Sequence, residues 1–504
     1  MNPGATTTAF PAEPHGDDGL VVTAGGHRTL TPTTIVILLT VAGAALRFGT
    51  LDVQSVWLDE ATTIALVRHS LWGMFSHLYS EETPPLYFVL AWVWTKIFGT
   101  GVLGFRSLSA VLGTVTIPVM YAVGRRISPR VGLWAAALTV VSPAMYYFSQ
   151  EARCYALLVL LSAAAFLFWL RVLQDEDGRS LALWAAMSAL ALLTHYYAIF
   201  MFIPEAALLL RRLGIRRMIA PVGVEVLTGL ALLPLALWQS STYGEVMEST
   251  STASRAAETI KLFLVGLYGP LEIYSALLVG VMVAGAVAYL WRRGEARWRR
   301  PALEIGFVGA AALLLPLVMA LMHVASYSLD GRHLISAWIP WALLVAMGLG
   351  VACPPRAAAL LGLTICAVSL AVIGGINAIP GYQREDWRGV ATALASHPGP
   401  GLIVTPRYGL QPLGIYLPRL HETTAPSAPP RELEFVALSK KRTGRSPLAP
   451  VVPTRPPRGY RLVEVRRTET YAVSRFLTTL PAAISVSALR AVDGEAEAEV
   501  LLHG

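Results

Sequence analysis

The sequence predicts a polytopic α-helical membrane protein with a small α/β domain at its C-terminus. Of the 504 residues, 55% are hydrophobic and only 14% are charged, which is a more apolar balance than water-soluble domains have. The hydrophobic residues form long runs, and the arginines form short clusters between the runs. Membrane topology therefore explains the net charge of +8, and we expect no nucleic acid partner.

Eleven apolar segments are long enough to cross the hydrocarbon core of about 30 Å. They follow a polar stretch, residues 1–30, that lacks the basic and apolar regions of a cleaved signal peptide and is predicted to be a disordered cytoplasmic tail. Together they define a transmembrane domain over residues 31–379. The predicted spans are 31–49, 104–125, 131–148, 153–173, 180–195, 197–210, 218–239, 271–291, 302–323, 333–352 and 357–378.

One further apolar stretch, Leu86 to Phe98, is predicted to be a helix in the membrane interface. It is about 13 residues long, which is short for a span, and it contains Trp92 and Trp94, whose side chains prefer the interface. If it does not cross, and the N-terminus is inside, nearly every cytoplasmic connection is rich in arginine, as the positive-inside rule requires. These arginines are Arg125, Arg126, Arg130, Arg171, Arg179, Arg211, Arg212, Arg216, Arg217, Arg292, Arg293, Arg297, Arg299, Arg300 and Arg356.

This topology places the long loop 50–103 and a C-terminal domain, residues 380–504, on the non-cytoplasmic side of the membrane. The domain is more polar than the rest of the chain and has a proline-rich middle. Its patterns predict a small α/β module with frayed final residues. The predicted elements are strands at 402–405, 460–465 and 470–474 and a helix at 387–395.

The outer loop contains two adjacent carboxylates in Trp57-Leu58-Asp59-Glu60. At a membrane boundary the two charges repel each other, and such an environment favours a carboxylate that accepts a proton. The alternative is structural: a solvated loop end, or Asp59 as the N-cap of a helix from Glu60 to Arg68.

Other polar residues cluster at the same predicted boundary. Glu151 and Arg153 either pair with each other at the surface or serve a site, with Arg153 binding an anion. His195 is either a hydrogen-bonded interface residue or a ligand. Arg332 needs a partner at its depth, and both Asp330 and a phosphate qualify. Arg47 and Arg106 raise the same question, although both arginines could snorkel towards the interface.

In this order, the motifs resemble GT-C superfamily glycosyltransferases, in particular the family 39 group of protein O-mannosyltransferases, the aminoarabinose transferase of lipid A and bacterial relatives. The resemblance covers roughly residues 30–395. It is carried by Trp57-Leu58-Asp59-Glu60, Thr83-Pro84-Pro85-Leu86-Tyr87, Phe105-Arg106-Ser107-Leu108, Ser149-Gln150-Glu151-Ala152-Arg153, Thr194-His195-Tyr196-Tyr197, Gly331-Arg332-His333-Leu334 and Glu385-Asp386-Trp387-Arg388.

The resemblance implies transfer of a sugar from a polyprenyl-phosphate donor to a glycan, lipid or protein acceptor on the outer face. By position, Asp59 matches the general base, Glu60 stands beside it, and Glu151 matches a second acid. Arg332 matches a contact to the donor phosphate, with Arg153 and Arg106 as further candidates. The expected substrate-binding residues are His195, Tyr196, Tyr87 and His333.

No cofactor is firmly implied. The sequence has no DxD-type motif that requires a metal, although the resemblance leaves a divalent cation open. Membrane lipids are expected partners. A transporter or flippase of lipid-linked sugars is the competing interpretation, but we find no internal repeat of the kind that transporters often contain.

Overall fold

The computed structural model describes residues 30–243, 251–322, 329–396, 401–423, 430–442, 445–480, 484–493 and 498–503. The predicted tail, residues 1–30, therefore lies almost wholly outside the described residues. The chain divides into two compact units. The membrane unit comprises Met1–Leu51 and Leu66–Ile373, and the C-terminal unit comprises Asp52–Ala65 and Gly374–Gly504.

The described part of the membrane unit is almost entirely helical. Short 3-10 turns precede or join several helices, and a π-helical turn, Gly348–Ala352, follows α15. The helices, including α2 and α16, which extend into the C-terminal unit, are α1 (Pro32–Phe48), α2 (Leu58–Arg68), α3 (Leu71–His77), α4 (Leu86–Phe98), α5 (Val102–Arg125), α6 (Pro129–Val141), α7 (Pro143–Phe148), α8 (Tyr155–Asp175), α9 (Gly178–Thr194), α10 (Ile199–Leu213), α11 (Ile215–Tyr243), α12 (Thr252–Val265), α13 (Glu272–Arg293), α14 (Ala296–Leu321), α15 (Trp338–Met347) and α16 (Pro355–Ala378).

Each of the eleven predicted spans coincides with helix in the structure. Among the described residues, seven helical segments are long and apolar enough to cross a membrane, in α5, α8, α11, α13, α14, α15 with its π turn, and α16. The other four positions hold shorter helices, because α1 and α9 have 17 residues each, α10 has 15, and the segment 131–148 is divided into α6 and α7. The polytopic helical fold is confirmed, and the count of eleven spans stays a prediction.

The predicted juxtamembrane helix is confirmed with unchanged bounds as α4. Pro85 precedes its first residue, and Gly99, at φ +78°, ends it. That backbone conformation suits glycine because a Cβ would be strained there. Trp94 fastens α4 to the start of α5, since its indole N–H donates to the Gly104 carbonyl at 3.1 Å and to the Ser107 hydroxyl at 2.9 Å. The depth of α4 in the membrane stays a prediction.

The C-terminal unit contains a six-stranded sheet in the order β2-β8-β1-β3-β7-β6, in which β1 and β3 are parallel and the other neighbours antiparallel. Its elements are α17 (Trp387–Ala395), β1 (Leu402–Thr405), α18 (Leu410–Tyr416), β2 (Leu420–Glu422), β3 (Glu432–Leu438), β4 (Lys440–Arg442), β5 (Arg445–Leu448), β6 (Arg461–Arg467), β7 (Tyr471–Leu477), α19 (Val486–Asp493) and β8 (Glu499–His503).

Alternating side chains of the strands build a core on each face of this sheet. Ile403 and Val436 pack with Trp387 of α17 and Leu413 of α18, and Phe435 packs on the other face in the core that includes Leu489 of α19. The predicted helix and three predicted strands are confirmed. The expectation of frayed final residues is wrong for Glu499–His503, because β8 pairs with both β1 and β2, whereas residues 494–497 and 504 lie outside the described residues.

Candidate active site

In the C-terminal unit, Asp59 and Glu60 lie in the first turn of α2. The helix begins at Leu58, before Asp59, so the interpretation of Asp59 as N-cap is wrong. Asp59 is half-buried, whereas Glu60 is fully buried. The Arg384 guanidinium compensates for this burial, with its Nη1 3.4 Å from Glu60 Oε2. Of the two adjacent carboxylates, Glu60 is therefore held in a buried ion pair.

The segment before Asp59 is held by hydrogen bonds within the same unit. The backbone N–H of Arg384 donates to Gln54 Oε1 at 3.0 Å, and the backbone N–H of Val56 donates to the Tyr416 hydroxyl at 2.9 Å. Ser55 Oγ accepts from the backbone N–H of Arg388 at 3.2 Å. These bonds attach the segment before Asp59 to residues more than 300 positions later in the chain.

Asp386 joins the acidic segment to the sheet. Its Oδ1 accepts from the Ser55 hydroxyl at 3.2 Å and from the backbone N–H of Gly389 at 2.9 Å, which makes it the N-cap of α17. Its Oδ2 accepts from the Thr470 hydroxyl at 2.9 Å. One carboxylate thus connects the loop that carries Asp59, the helix α17 and the turn before β7.

In the membrane unit, Arg153 and Glu81 form a buried ion pair. Arg153 Nη1 is 2.7 Å from Glu81 Oε2, and both side chains are almost inaccessible to solvent. Glu151 is also buried. The interpretation that Glu151 and Arg153 pair at the surface is therefore wrong. The pairing of Arg153 with Glu81 joins residues 72 positions apart. It connects the turn before α4, which contains Glu81, to the turn before α8, which contains Arg153.

His195 interrupts the chain between α9 and α10. Its extended backbone, at φ −158° and ψ 129°, ends α9, and its Nδ1 accepts from the backbone N–H of Tyr197 at 3.2 Å. This bond places the proton of the neutral ring on Nε2. The His195 ring lies 5.1 Å from His333 and 6.0 Å from Tyr155, measured between ring centroids. The ring of Tyr197 lies 5.1 Å from His333 and closes the group.

Arg332 is paired with Asp330 in the turn before α15. Asp330 Oδ2 accepts from Arg332 Nε at 2.8 Å, and its Oδ1 accepts from the backbone N–H of Arg332 at 3.0 Å. Burial by itself would raise the pKa of Asp330, but Arg332 and His333 outweigh burial and lower the pKa to about 2. Asp330 is thus ionised, and it orients the guanidinium of Arg332.

The membrane unit brings several predicted residues together. His195 interacts electrostatically with His333, Arg153 and Arg332. Tyr155 interacts with Arg332, Arg153 and Glu151. We call this set, Glu81, Glu151, Arg153, His195, Asp330, Arg332 and His333, the arginine–histidine cluster. It places two guanidinium groups and two imidazoles next to three carboxylates, and each guanidinium group is paired with one of these carboxylates.

The remaining predicted site residues have structural contacts. Arg106 is buried and donates to the Leu51 carbonyl at 2.8 Å, so it does not snorkel. Arg47 is buried as well and donates to the Ser149 hydroxyl at 3.0 Å. The Tyr87 hydroxyl lies 3.3 Å from Ser109 Oγ, and the Tyr196 hydroxyl donates to Gln239 Oε1 at 2.8 Å.

Sequence reasoning missed Glu81 and Arg384 as partners of site residues. Glu81 lies two residues before the motif Thr83-Pro84-Pro85-Leu86-Tyr87, and Arg384 directly precedes the motif Glu385-Asp386-Trp387-Arg388. The signal available for each was its proximity to a motif residue. Within the residues that the structure describes, no group of three or more His, Cys, Asp or Glu side chains is arranged to hold a metal ion.

Comparisons with known proteins agree with this architecture. Residues 82–238 match the family model described as dolichyl-phosphate-mannose-protein mannosyltransferase. The solved structure of ArnT from Cupriavidus metallidurans bound to undecaprenyl phosphate is similar, with a TM-score of 0.57 and 15% identity over 90% of this chain and 100% of that chain. The apo state of the same protein gives a TM-score of 0.53 and 14% identity over 88% and 98%. A search of curated proteins finds no match.

The ordered motifs, the family match and the shared fold point in one direction. The family match includes Glu81's neighbour Glu82, the helix α4, Glu151, Arg153 and His195. The similarity to ArnT extends over both units and confirms the GT-C fold. Residues 82–238 thus match a mannosyltransferase family model, and the chain shares the GT-C fold of ArnT, as its motifs predicted.

Proposed function

We propose that this protein is a membrane glycosyltransferase that moves a sugar from a polyprenyl-phosphate donor to an acceptor on the outer face of the cytoplasmic membrane. The observation that carries the proposal is the arginine–histidine cluster, in which Arg153 and Arg332 are both oriented by carboxylates. Guanidinium groups held in this way suit a phosphate. A donor of this class also fits the similarity to ArnT, whose solved structure contains undecaprenyl phosphate.

The proposed reaction is an inverting displacement with Asp59 as general base. Asp59 takes the proton of the acceptor hydroxyl while the acceptor oxygen forms a bond to the anomeric carbon. The bond from that carbon to the donor phosphate breaks, and its electron pair leaves with the polyprenyl phosphate. The departing phosphate is already an anion, so it needs cations rather than a general acid. Arg332 and Arg153 supply them.

The ion pair between Glu60 and Arg384 supports the choice of Asp59 over Glu60 as the base. A carboxylate in a buried ion pair is held in its charged form by its partner, and taking up a proton would leave the arginine uncompensated. Asp59 is half-buried and lies one residue away, in the same helical turn. Glu60 then positions the turn, and Glu151 is proposed as a second acid that orients substrate.

The sugar is proposed to be mannose, arabinose or a similar hexose or pentose, and the acceptor a glycan, a lipid or a protein. The competing interpretation, a transporter or flippase of lipid-linked sugars, predicts movement of the donor without bond cleavage. The family match is to a transferase, and we therefore give bond cleavage precedence.

The test is sugar transfer by purified protein in liposomes that contain a polyprenyl-phosphate sugar. The variant Asp59→Asn is expected to lower kcat about 10²- to 10⁴-fold with little change in the KM of the donor, because only the base is lost. The matched control is Glu422→Gln, which removes an exposed carboxylate of β2 in the same unit. Transfer by Asp59→Asn at the wild-type rate would show that another group is the base.

A further inference from the structure

Two glutamates lie inside the membrane-spanning part of the protein, in addition to the groups at the ends of the helices. Glu205 is in the middle of α10 and Glu225 is in α11. Their side chains are inaccessible, with residue exposures of 1% and 5%. An ionisable side chain at this depth is expensive unless a partner compensates for it, and its presence therefore indicates a function or a bound proton.

Glu205 of α10 accepts hydrogen bonds from two neighbouring helices, α8 and α9. Its Oε2 accepts from the indole N–H of Trp184 in α9 at 2.7 Å, and its backbone carbonyl accepts from the indole N–H of Trp169 in α8 at 3.2 Å. Among the described residues, Glu205 Oε1 and Glu225 Oε1 are both buried without a hydrogen-bond partner. Each carboxyl group thus has one oxygen that the surrounding helices leave unsatisfied.

The two carboxyl groups also interact electrostatically with each other. If both were ionised, two like charges would repel each other in a medium of low dielectric constant, where such repulsion is strongest. A proton on either group removes the repulsion and supplies an O–H donor.

Within the described residues, no ion pair compensates for either glutamate. The charged groups on the surrounding helices lie near the helix ends that are farther from His195. Arg212 in α10 and Arg217 in α11 both pair with Glu176. At 1.5 Å per residue, they lie about 10 to 12 Å along their helices from Glu205 and Glu225. The other charged groups of the helices that pack here are Arg171, Asp175, Arg179, Arg211, Arg216, Arg297, Arg299, Arg300 and Glu304.

We propose that Glu205 and Glu225 form a proton-binding pair within the membrane, in which at least one carboxyl group is protonated at neutral pH. The ligand is a proton and not a metal ion, because the carbonyls around the pair belong to helices and are used in their hydrogen bonds. The proton allows α8, α9, α10 and α11 to pack around two carboxyl groups. This site is separate from the arginine–histidine cluster, and the proposal does not depend on the proposed transfer reaction.

The direct test is infrared spectroscopy of the protein in liposomes at neutral pH. Wild type is expected to have a C=O stretching band of a protonated carboxylic acid that shifts in heavy water and is lost or reduced in Glu205→Gln or Glu225→Gln. The matched control, Glu295→Gln, removes an exposed carboxylate that is paired with Arg297, and it should remove only an ionised carboxylate band. Glutamine is neutral and of similar size, so both test variants should fold and retain sugar transfer.

If both test variants lose only the bands of ionised carboxylates, the proposal is overturned. If those bands also depend on sodium, the pair binds a cation instead of a proton. If a variant does not fold, labelling of wild type with an apolar carbodiimide replaces it. The carboxyl proton moves to a carbodiimide nitrogen, the oxygen adds to the central carbon, and rearrangement gives a stable N-acylurea with no leaving group. An adduct on the Glu225 peptide and none on that of Glu295 supports the pair, whereas equal labelling of both peptides contradicts it.

Discussion

Glu434 of β3 is a carboxyl group whose surroundings oppose its ionisation. Burial raises its pKa, the neighbouring Glu432 raises it further, and Arg475 counteracts them only in part, so that the pKa reaches about 8. Arg475 lies opposite Glu434 in the register of β3 and β7, but its guanidinium donates to Glu432. One arginine therefore serves two glutamates, and Glu434 is the one left with the higher proton affinity.

This arrangement predicts a dependence of stability on pH. The unfolded chain releases the proton of Glu434 near pH 4.5, whereas the folded protein keeps it until about pH 8. The folded state then binds more protons in this window, so the free energy of unfolding falls as pH rises from about 4.5 to about 8 and levels off above it. The variant Glu434→Gln should not lose stability in this way. Its free energy of unfolding should exceed that of wild type by an amount that grows between about pH 4.5 and about pH 8.

This difference in stability is measured by thermal unfolding of the full-length protein, monitored through hydrogen exchange in the β3 and β7 peptides. Glu469→Gln, which changes an exposed carboxylate before β7, is the control and should follow wild type at every pH. Parallel pH curves for wild type and Glu434→Gln would mean that Glu434 ionises normally in the folded protein.

Single residues were predicted from sequence where their partners are close in the chain. The need of Arg332 for a partner was evident from its position, and Asp330, one of the two partners considered, lies two residues away. By contrast, the partner of Arg153 lies 72 residues earlier and that of Glu60 lies 324 residues later. A pattern in one sequence contains no information about which of many distant charges meets a buried arginine, so Glu81 and Arg384 were not predicted.

At the scale of elements, the segment that joins α16 to α17 positions the turn of Asp59. Arg384 in this segment contributes both its guanidinium, to Glu60, and its backbone N–H, to Gln54. Replacing Arg384 by Gln leaves Glu60 buried without its cation, a change that commonly costs about 3 to 5 kcal/mol. We expect Arg384→Gln to lower the melting temperature and to lower kcat more than it raises the KM of the donor.

The double variant Glu60→Gln with Arg384→Gln separates position from chemistry. Two neutral amides of similar shape can face each other without a buried charge, so the double variant should regain most of the stability that the single variant loses. Recovery of transfer together with stability would identify Glu60 and Arg384 as positioning residues. Recovery of stability alone would mean that Glu60 takes part in the reaction, and an unchanged single variant would show that the pair has no role.

Elements with a strong local pattern were predicted well. The proline pair fixes the start of α4 and Gly99 its end, and β7 contains Tyr471, Val473 and Phe476, residue types that favour strands. The division of the segment 131–148 was not predicted, although Ser142 and Pro143 mark it. Ser142, at ψ 120°, ends α6, and its hydroxyl accepts from the backbone N–H of Met145 to begin α7. A continuous apolar run does not reveal such a break, because hydropathy measures composition and not backbone dihedral angles.

For the whole molecule, the arginine clusters predict one orientation in the membrane. A reporter inserted at Gly294, between α13 and α14, should be active only in the cytoplasm. A reporter at residue 400, outside the described residues, should be active only on the other side. The physical reason is the retention of short arginine-rich loops on the cytoplasmic side. Paired enzyme fusions that require opposite compartments measure this, and a reversed pair of activities would contradict the predicted topology.

The division into two units was predicted only in part. The polar C-terminal region was recognised from its composition, and its sheet from its strand patterns. The inclusion of Asp52–Ala65 in the same compact unit was not, because sequence analysis reads a domain as a continuous stretch. The hydrogen bonds from Gln54, Ser55 and Val56 to residues 384–416 are what join the two segments.

That discontinuity has a consequence for protein engineering and for comparing relatives. A chimera that exchanges only the chain after Gly374 would combine one protein's acidic turn with another protein's anchoring residues, and the pair of Glu60 with Arg384 would be mismatched. A graft that carries Asp52–Ala65 together with the C-terminal residues keeps these contacts intact. The smallest exchangeable module of this protein therefore consists of two pieces of chain, with one cut on each side of the Asp59 turn and a third before the C-terminal region.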